Sequence, residues 1–345
     1  MKAAVLAEIG QFEMREMPDP KIIHDTDVLI RIKMVGICGS DMHYFNKGRI
    51  GSQIVKYPFV LGHEAAGIVE KTGEKVTRVK PGQRIAIDPS VFCGTCDQCL
   101  AGREHTCRNN LFLGSPGQLD GAMREFVVMP EESCFPIAES TAFEEAVLSE
   151  PLGIAVYSVQ KSGIPNHATA AILGCGPIGM SVFHVLRSID ANRVYVTEKI
   201  SERIEFAKAL NPDWIGNPVQ TDIIVEIMKR EPLGVDVVYE CSGDPETIDQ
   251  AIQILKPGGV LTLVGIAEVD TIPFQVHEIR RKEIPVISIR RQVHCTQKAI
   301  DLIASGKTKM SPMATHHFSL DDTAKAFDLV SNYRDGVMKA MVAID

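Results

Sequence analysis

The chain has 345 residues, too many for one ordinary hydrophobic core, so two domains are the expectation. It is 45% hydrophobic and 23% charged with no low-complexity tract, the composition of a soluble globular protein. Lys and Arg total 36 against 44 acidic residues, and the resulting net charge of −8 argues against a general affinity for nucleic acid.

Glu8 interrupts the opening residues too early for the apolar region of a signal peptide, and no uninterrupted apolar run is long enough to cross a bilayer. Both points favour the cytoplasm and no membrane partner. Cysteines stand at positions 38, 93, 96, 99, 107, 134, 175, 241 and 295. An odd number with four crowded together makes a poor disulfide framework, whereas thiolates in a reducing compartment are free to bind metal.

Residues 1 to about 35 alternate apolar and polar side chains, as in Val28 to Val35, which reads as half-buried strand. Next comes Gly36-Ile-Cys38-Gly-Ser40-Asp-Met-His43-Tyr44, and then Gly62-His63-Glu64. Cys38 and His63 offer a thiolate and an imidazole, the donor pair that borderline-soft zinc prefers. Ser40 and His43 follow the cysteine closely enough to form a proton path. Glu64 and the later Glu150 add carboxylates that complete such a metal site or hold its water. The segment 65–88, with turns at Gly73 and at Pro81-Gly82, extends the run of short strands and suggests a compact β-barrel-like domain.

Cys93, Cys96, Cys99 and Cys107 then fall in one short Gly-containing lobe. Four thiolates wrapped around one ion close every tetrahedral position and leave no place for water or substrate, so this site reads as structural zinc pinning a loop with little core of its own. Residues 114–123 are loop by composition, Phe126 to Met129 returns to strand, and Thr141 to Val159 reads as helix. Glu150 lies within that helix beside Pro151, among apolar neighbours, where a nearby cation would offset the cost of burying a carboxylate.

From residue 168 strands alternate with helices. The apolar run Ala168 to Leu173 leads into Gly174-Cys-Gly176-Pro-Ile178-Gly179 and a helical stretch from Met180 to Ile189. A lone Gly-x-Gly-x-x-Gly is weak, but here it joins a strand to a helix, as a dinucleotide fingerprint requires. The next strand ends in Glu198, placed to accept the ribose hydroxyls of NAD and to repel a 2′-phosphate. Helices over 201–210, 221–229 and 245–255, with strands over 235–240, 259–265 and 285–289, complete a doubly wound parallel sheet of about six strands. Helices over 296–304 and 320–331 precede a terminal strand over 338–344 that rejoins the first domain. Cys134, Cys175, Cys241 and Cys295 read as packing residues, and His316-His317 as structural.

Together these residues resemble the zinc-dependent medium-chain alcohol dehydrogenase family, within it the polyol (sorbitol-type) dehydrogenases, over nearly the whole chain. The resemblance implies a mainly β, GroES-like catalytic domain made of 1–155, with its zinc lobe at 90–110, and of 290–345. A Rossmann dinucleotide domain over 156–289 would be inserted between them. It implies a catalytic zinc on Cys38, His63 and Glu64, with Glu150 holding the water or exchanging as a ligand, and a proton relay through Ser40 and His43. It further implies NAD contacts at Gly174, Gly176, Ile178, Gly179, Glu198, Arg203 and Val264-Gly265-Ile266, substrate contacts at Tyr44, Phe112 and Arg291, and a homotetramer. The chain departs from its polyol relatives at Arg290-Arg291-Gln292, where Phe-Arg-Tyr is usual, at Glu198 in place of the commoner Asp, and in the loop 114–121, which lacks Thr-Pro-Pro. The expected reaction is oxidation of a polyol to a ketose. A sugar acid, a sugar phosphate or L-threonine is the alternative substrate, given the paired arginines Arg280-Arg281 and Arg290-Arg291, and a catalytically silent dinucleotide-binding protein the distant one.

Overall fold

In the computed structural model, which describes residues 1–345, the alternating N-terminal pattern becomes strands. Lys2–Glu8 (β1) and Gln11–Glu16 (β2) form an antiparallel hairpin, and Asp27–Gly36 (β3) follows. Alternation along β3 buries Val28, Ile30 and Ile32, the pleat sending every second side chain into one core, and past a register irregularity between Ile32 and Met34 Val35 joins them. Gly39–Lys47 is a short helix (α1), and Glu64–Thr72 (β4), Arg84–Ile87 (β5), Phe126–Pro130 (β6) and Cys134–Pro136 (β7) supply further strands. A long helix, Phe143–Ser162 (α2), carries Pro151 inside it.

The second pattern begins at Thr169–Leu173 (β8), a strand buried along its whole length, as a central parallel strand must be. Pro177–Ser188 (α3), Arg193–Thr197 (β9), Ser201–Ala209 (α4), Trp214–Gly216 (β10), Ile223–Arg230 (α5), Val235–Glu240 (β11), Glu246–Ile254 (α6), Leu255–Leu263 (β12), Val276–Lys282 (α7) and Val286–Ser288 (β13) follow. The six strands are parallel in the order β10-β9-β8-β11-β12-β13, so the winding reverses between β8 and β11. The chain ends with Thr296–Ala304 (α8), Ala314–Ser319 (β14), Thr323–Ser331 (α9) and Lys339–Ala343 (β15). The first sheet then has the order β7-β5-β4-β3-β15-β14, with β6 also paired to β3. A mainly β unit and a parallel α/β unit are thus both present, as the sequence implies.

Two compact units emerge, Met1–Glu150 with Thr296–Asp345, and Pro151–Cys295. The divisions fall at Glu150/Pro151, inside α2, and at Cys295/Thr296, whereas the sequence placed them at 155/156 and 289/290. Residues 290–295 go with the second unit because Cys295 Sγ contacts Gln160 Oε1 at 3.6 Å and its backbone N–H is held by Gln292. The sequence pattern does not indicate three of these strands, among them β7, which has only three residues. β10 likewise has only three residues, and β14 is a half-exposed sheet-edge strand carrying His316 and His317. The cysteines at 134, 175, 241 and 295 are all buried, in keeping with packing. No helix is long and apolar enough to cross a membrane.

One buried group in α3 makes the second unit acid-sensitive. His184 is 8% exposed, and burial alone pushes its pKa down to about 4. The folded value lies below the unfolded one of about 6.5, so the unfolded chain takes up this proton first as pH falls. The stability that neutral His184 contributes is therefore complete above about pH 6.5 and is lost between there and pH 4. Denaturant unfolding at pH 7 and 4.5 should show wild type losing on the order of 2 kcal/mol more than His184→Phe. Equal losses in the two proteins would remove His184 as the cause.

Candidate active site

Cys38 is the N-cap of α1, with Asp41 at the third helical position. Asp41 is fully buried and its Oδ2 accepts the Cys38 backbone N–H at 3.0 Å, one half of a capping box. Its Oδ1 accepts the Gly62 N–H at 3.3 Å and lies 3.5 Å from His63 Nδ1. One carboxylate therefore fixes the helix start that presents Cys38 and orients the His63 ring, leaving Nε2 as the donor. Desolvation pushes the His63 pKa down, but Asp41 and Cys38 more than offset it and hold it well above the usual value. The sequence reading gave Asp41 no role; an acid three residues after a helix-capping position was the available signal.

Glu64 opens β4, and the donor atoms of Cys38, His63 and Glu64 all lie within 4.8 Å of one another. A thiolate, an imidazole and a carboxylate so gathered fit a divalent, borderline-soft ion with an open position. Glu64 has a second partner. The ammonium of Lys339, at the start of β15, lies 2.7 Å from each of its carboxylate oxygens and 3.1 Å from the Ile37 carbonyl. Both side chains are 1% exposed. Glu150, in α2, is not one of the gathered trio. Desolvation raises its carboxyl to about 7, with His63 opposing and Glu64 and Asp88 adding to the rise.

Ser40, His43 and Tyr44 ride on α1. Tyr44 is buried, its hydroxyl reaching Gln53 Oε1 at 3.4 Å, and Gln53 Nε2 donates to Ser115 Oγ at 3.1 Å. The Phe112 ring packs 5.4 Å from the His63 ring. Phe112 therefore lies beside one donor of the trio, and Ser115, whose N–H donates to the Phe112 carbonyl at 3.2 Å, links it through Gln53 to Tyr44 on the helix that Cys38 caps, a connection only the fold reveals. Arg291 lies in the second unit, with a left-handed φ of 53°.

The four-cysteine lobe is assembled as the spacing implies. Sulfur–sulfur separations are 3.5 Å for Cys93–Cys107, 3.6 Å for Cys96–Cys99, 3.8 Å for Cys96–Cys107 and 4.0 Å for Cys93–Cys99. Four sulfurs at tetrahedral corners around zinc stand about 3.8 Å apart, so this donor set fits the ion. Hydrogen bonds from the backbone and hydroxyl of Thr95 draw the Cys93 thiol down to about 5, and Cys107 Sγ accepts the Cys93 and Asn109 N–H groups.

In the second unit Gly174, Gly176, Ile178 and Gly179 join β8 to α3, whose N-cap is Gly176. Gly174 has φ +94°, and a Cβ on Gly179 would fall 2.0 Å from the Gly174 carbonyl oxygen. Only glycine allows that turn and that close approach, which leaves the helix N-terminus open to a pyrophosphate. Glu198, just past β9, is 8% exposed; its Oε2 accepts the Cys175 N–H and its Oε1 those of Lys199 and Ile200. Arg203, on α4, brings its guanidinium beside Gly176. Val264 and Gly265 donate their N–H groups to the Glu240 carbonyl, and Ile266 beside them is 47% exposed. This cradle fits a dinucleotide.

Residues 24–139 match the family described as alcohol dehydrogenase GroES-like domain, and residues 177–305 the one described as zinc-binding dehydrogenase. The chain is 35% identical over 343 residues to the sorbitol dehydrogenase of Bacillus subtilis, covering 99% of this chain and 97% of that one. It is similar to the solved structure of a zinc-binding dehydrogenase of Sinorhizobium meliloti bound to NADP, at 30% identity and TM-score 0.90, covering 99% and 98% of the two chains. An Escherichia coli alcohol dehydrogenase complexed with NADH is similar at 28% identity and TM-score 0.90, with 99% of both chains covered.

Proposed function

The chain belongs to the zinc-binding medium-chain alcohol dehydrogenases, in their polyol branch, and from that premise we propose that it oxidises a secondary hydroxyl of a neutral polyol to a ketose, with NAD as acceptor. The substrate class rests on the polar row Tyr44–Gln53–Ser115, which starts on the helix that carries Cys38 at its N-cap. A phenol, an amide and a hydroxyl exchange hydrogen bonds with sugar-alcohol hydroxyls in either direction, where an anion calls for guanidinium or ammonium. NAD rests on Glu198, whose carboxylate would repel a 2′-phosphate.

When bound, zinc would polarise the hydroxyl as a Lewis acid and NAD would take the hydride. The chain's own residues do the rest. Cys38, His63 and Glu64 would hold the metal, Asp41 keeps the His63 ring in place, and Glu150 would hold the site's water. Ser40 and His43 pass the hydroxyl proton towards solvent. Phe112 excludes water from one side, while Tyr44 and Gln53 orient the polyol chain. Cys93, Cys96, Cys99 and Cys107 would hold a second, structural zinc. Gly174, Gly176, Ile178, Gly179, Arg203 and the stretch Val264 to Ile266 would seat the dinucleotide.

The test is NADH formation by zinc-loaded protein against sorbitol, xylitol, galactitol, a sugar acid, a sugar phosphate and L-threonine. A neutral polyol is expected to lead by at least about tenfold in kcat/KM, the discrimination that a few matched hydrogen bonds supply. Leadership by an acid or a phosphate would overturn the substrate class, and inactivity on the whole panel would overturn the reaction.

A further inference from the structure

Glu198 is followed by Lys199, a cation one residue from the carboxylate assigned to the ribose. Its ammonium does not stand alone: Nζ lies 2.6 Å from Asp244 Oδ2. The two residues follow different strands, β9 and β11, and the sheet order places β8 between them. The ion pair therefore reaches past the carboxyl end of β8, where the fingerprint turn begins and where open α/β sheets bind nucleotides. An exposed pair adds little to stability, so its position is the informative feature.

Asp244 is fixed independently of the lysine. Its backbone N–H donates to Ser242 Oγ at 3.0 Å, and its Oδ1 accepts the Glu246 N–H at 3.1 Å. Ser242 is in turn held by the buried Glu240, whose Oε1 accepts both its N–H and its hydroxyl at 2.8 and 2.6 Å. Ser242 also packs against Gly174, where a Cβ would approach its backbone to 2.9 Å. On the other side Asn217 Nδ2 donates to the Lys199 carbonyl at 3.1 Å. Lys199 is raised and Asp244 lowered in pKa, chiefly by the hydrogen bond each makes to the other, so both stay charged.

We propose that Asp244 is a specificity residue: by holding Lys199 it withholds the one neighbouring ammonium of Glu198 from a 2′-phosphate and enforces the choice of NAD over NADP. This rests on the assignment of Glu198 to the ribose made above. An ammonium is a strong phosphate partner, and one residue from the ribose carboxylate it would otherwise offset that carboxylate's repulsion. The pair with Asp244 neutralises its charge and uses up its reach.

Calorimetric titration of the zinc-replete full-length protein with NAD and with NADP tests this. Wild type is expected to bind NAD more tightly. Asp244→Ala and Asp244→Asn, the second of which keeps an acceptor for the Glu246 N–H, should each shift the affinity ratio towards NADP by about two- to fivefold, the range that releasing an exposed pair supplies. Adding Lys199→Ala to either should return the ratio to near wild type. An Asp244 variant with an unchanged ratio, or a gain in NADP binding that survives Lys199→Ala, would overturn the role of Asp244 and leave the cofactor assignment standing. A wild type that binds NADP as tightly as NAD would instead overturn the assignment of Glu198, and this proposal with it.

Discussion

Replacing Lys339 with Met is expected to destabilise the metal-stripped protein by about 3–5 kcal/mol and, at the same time, to tighten its grip on zinc. The ammonium is buried and contacts both oxygens of Glu64, so its loss leaves a carboxylate away from water without a counter-charge. A zinc ion on Cys38, His63 and Glu64 would supply that charge, so the loss shrinks once metal is added. Lys339 and zinc also compete for the same carboxylate, and removing one favours the other. Lys339→Met with Glu64→Gln should recover much of the stability, since a buried amide needs no cation, but should bind zinc weakly. Urea unfolding of stripped and loaded protein, with zinc affinity from competition against a chelating dye, gives both numbers. Metal-free stability within about 1 kcal/mol of wild type, or weakened zinc binding in Lys339→Met, would mean that Lys339 does not govern this carboxylate.

The other large effect is expected at the cysteine lobe. Cys99 is buried at its centre, with Cys96 and Cys93 sulfurs at 3.6 and 4.0 Å. Structural zinc contributes on the order of 10 kcal/mol where a small module has no other core, and a loop of this kind folds around its ion. Cys99→Ala should therefore lower the zinc content by one equivalent per chain and open 93–107 to proteases, while the sheet centred on β3 stays protected. Retention of the zinc, or cleavage scattered over the whole unit, would show that the lobe is not held this way.

What could be read beforehand was local in sequence. The four cysteines and the glycine fingerprint each lie within a short span, so their spacing alone carries the geometry. The same holds for the central strands, where long alternating or fully apolar runs leave little choice of period. α1 was harder to see, since Gly39 and Ser40 are weak helix formers; Asp41 at its start and the left-handed Gly48 at its end define it. The partners of the metal trio were hidden for another reason. Glu64 and Lys339 stand 275 residues apart, and a charged residue in the terminal strand 338–344 gives no hint of what it meets. Gln53 and Ser115 are likewise joined by folding, not by spacing, and the three residues of β10 are too few to show a period.

The place of β15 has a consequence for how the protein is made. Its residues Met341 to Ala343 pair with Met34 to Gly36 of β3, so the first unit needs a part of the chain before the second unit and a part after it. The second unit, by contrast, is one continuous stretch from Pro151 to Cys295. During synthesis that stretch leaves the ribosome whole, while β3 still lacks the neighbour that completes its sheet and Glu64 still lacks Lys339. The nascent first unit thus presents an open strand edge and an unpaired acid until β15 has emerged, which makes that interval the time of greatest exposure to misassembly.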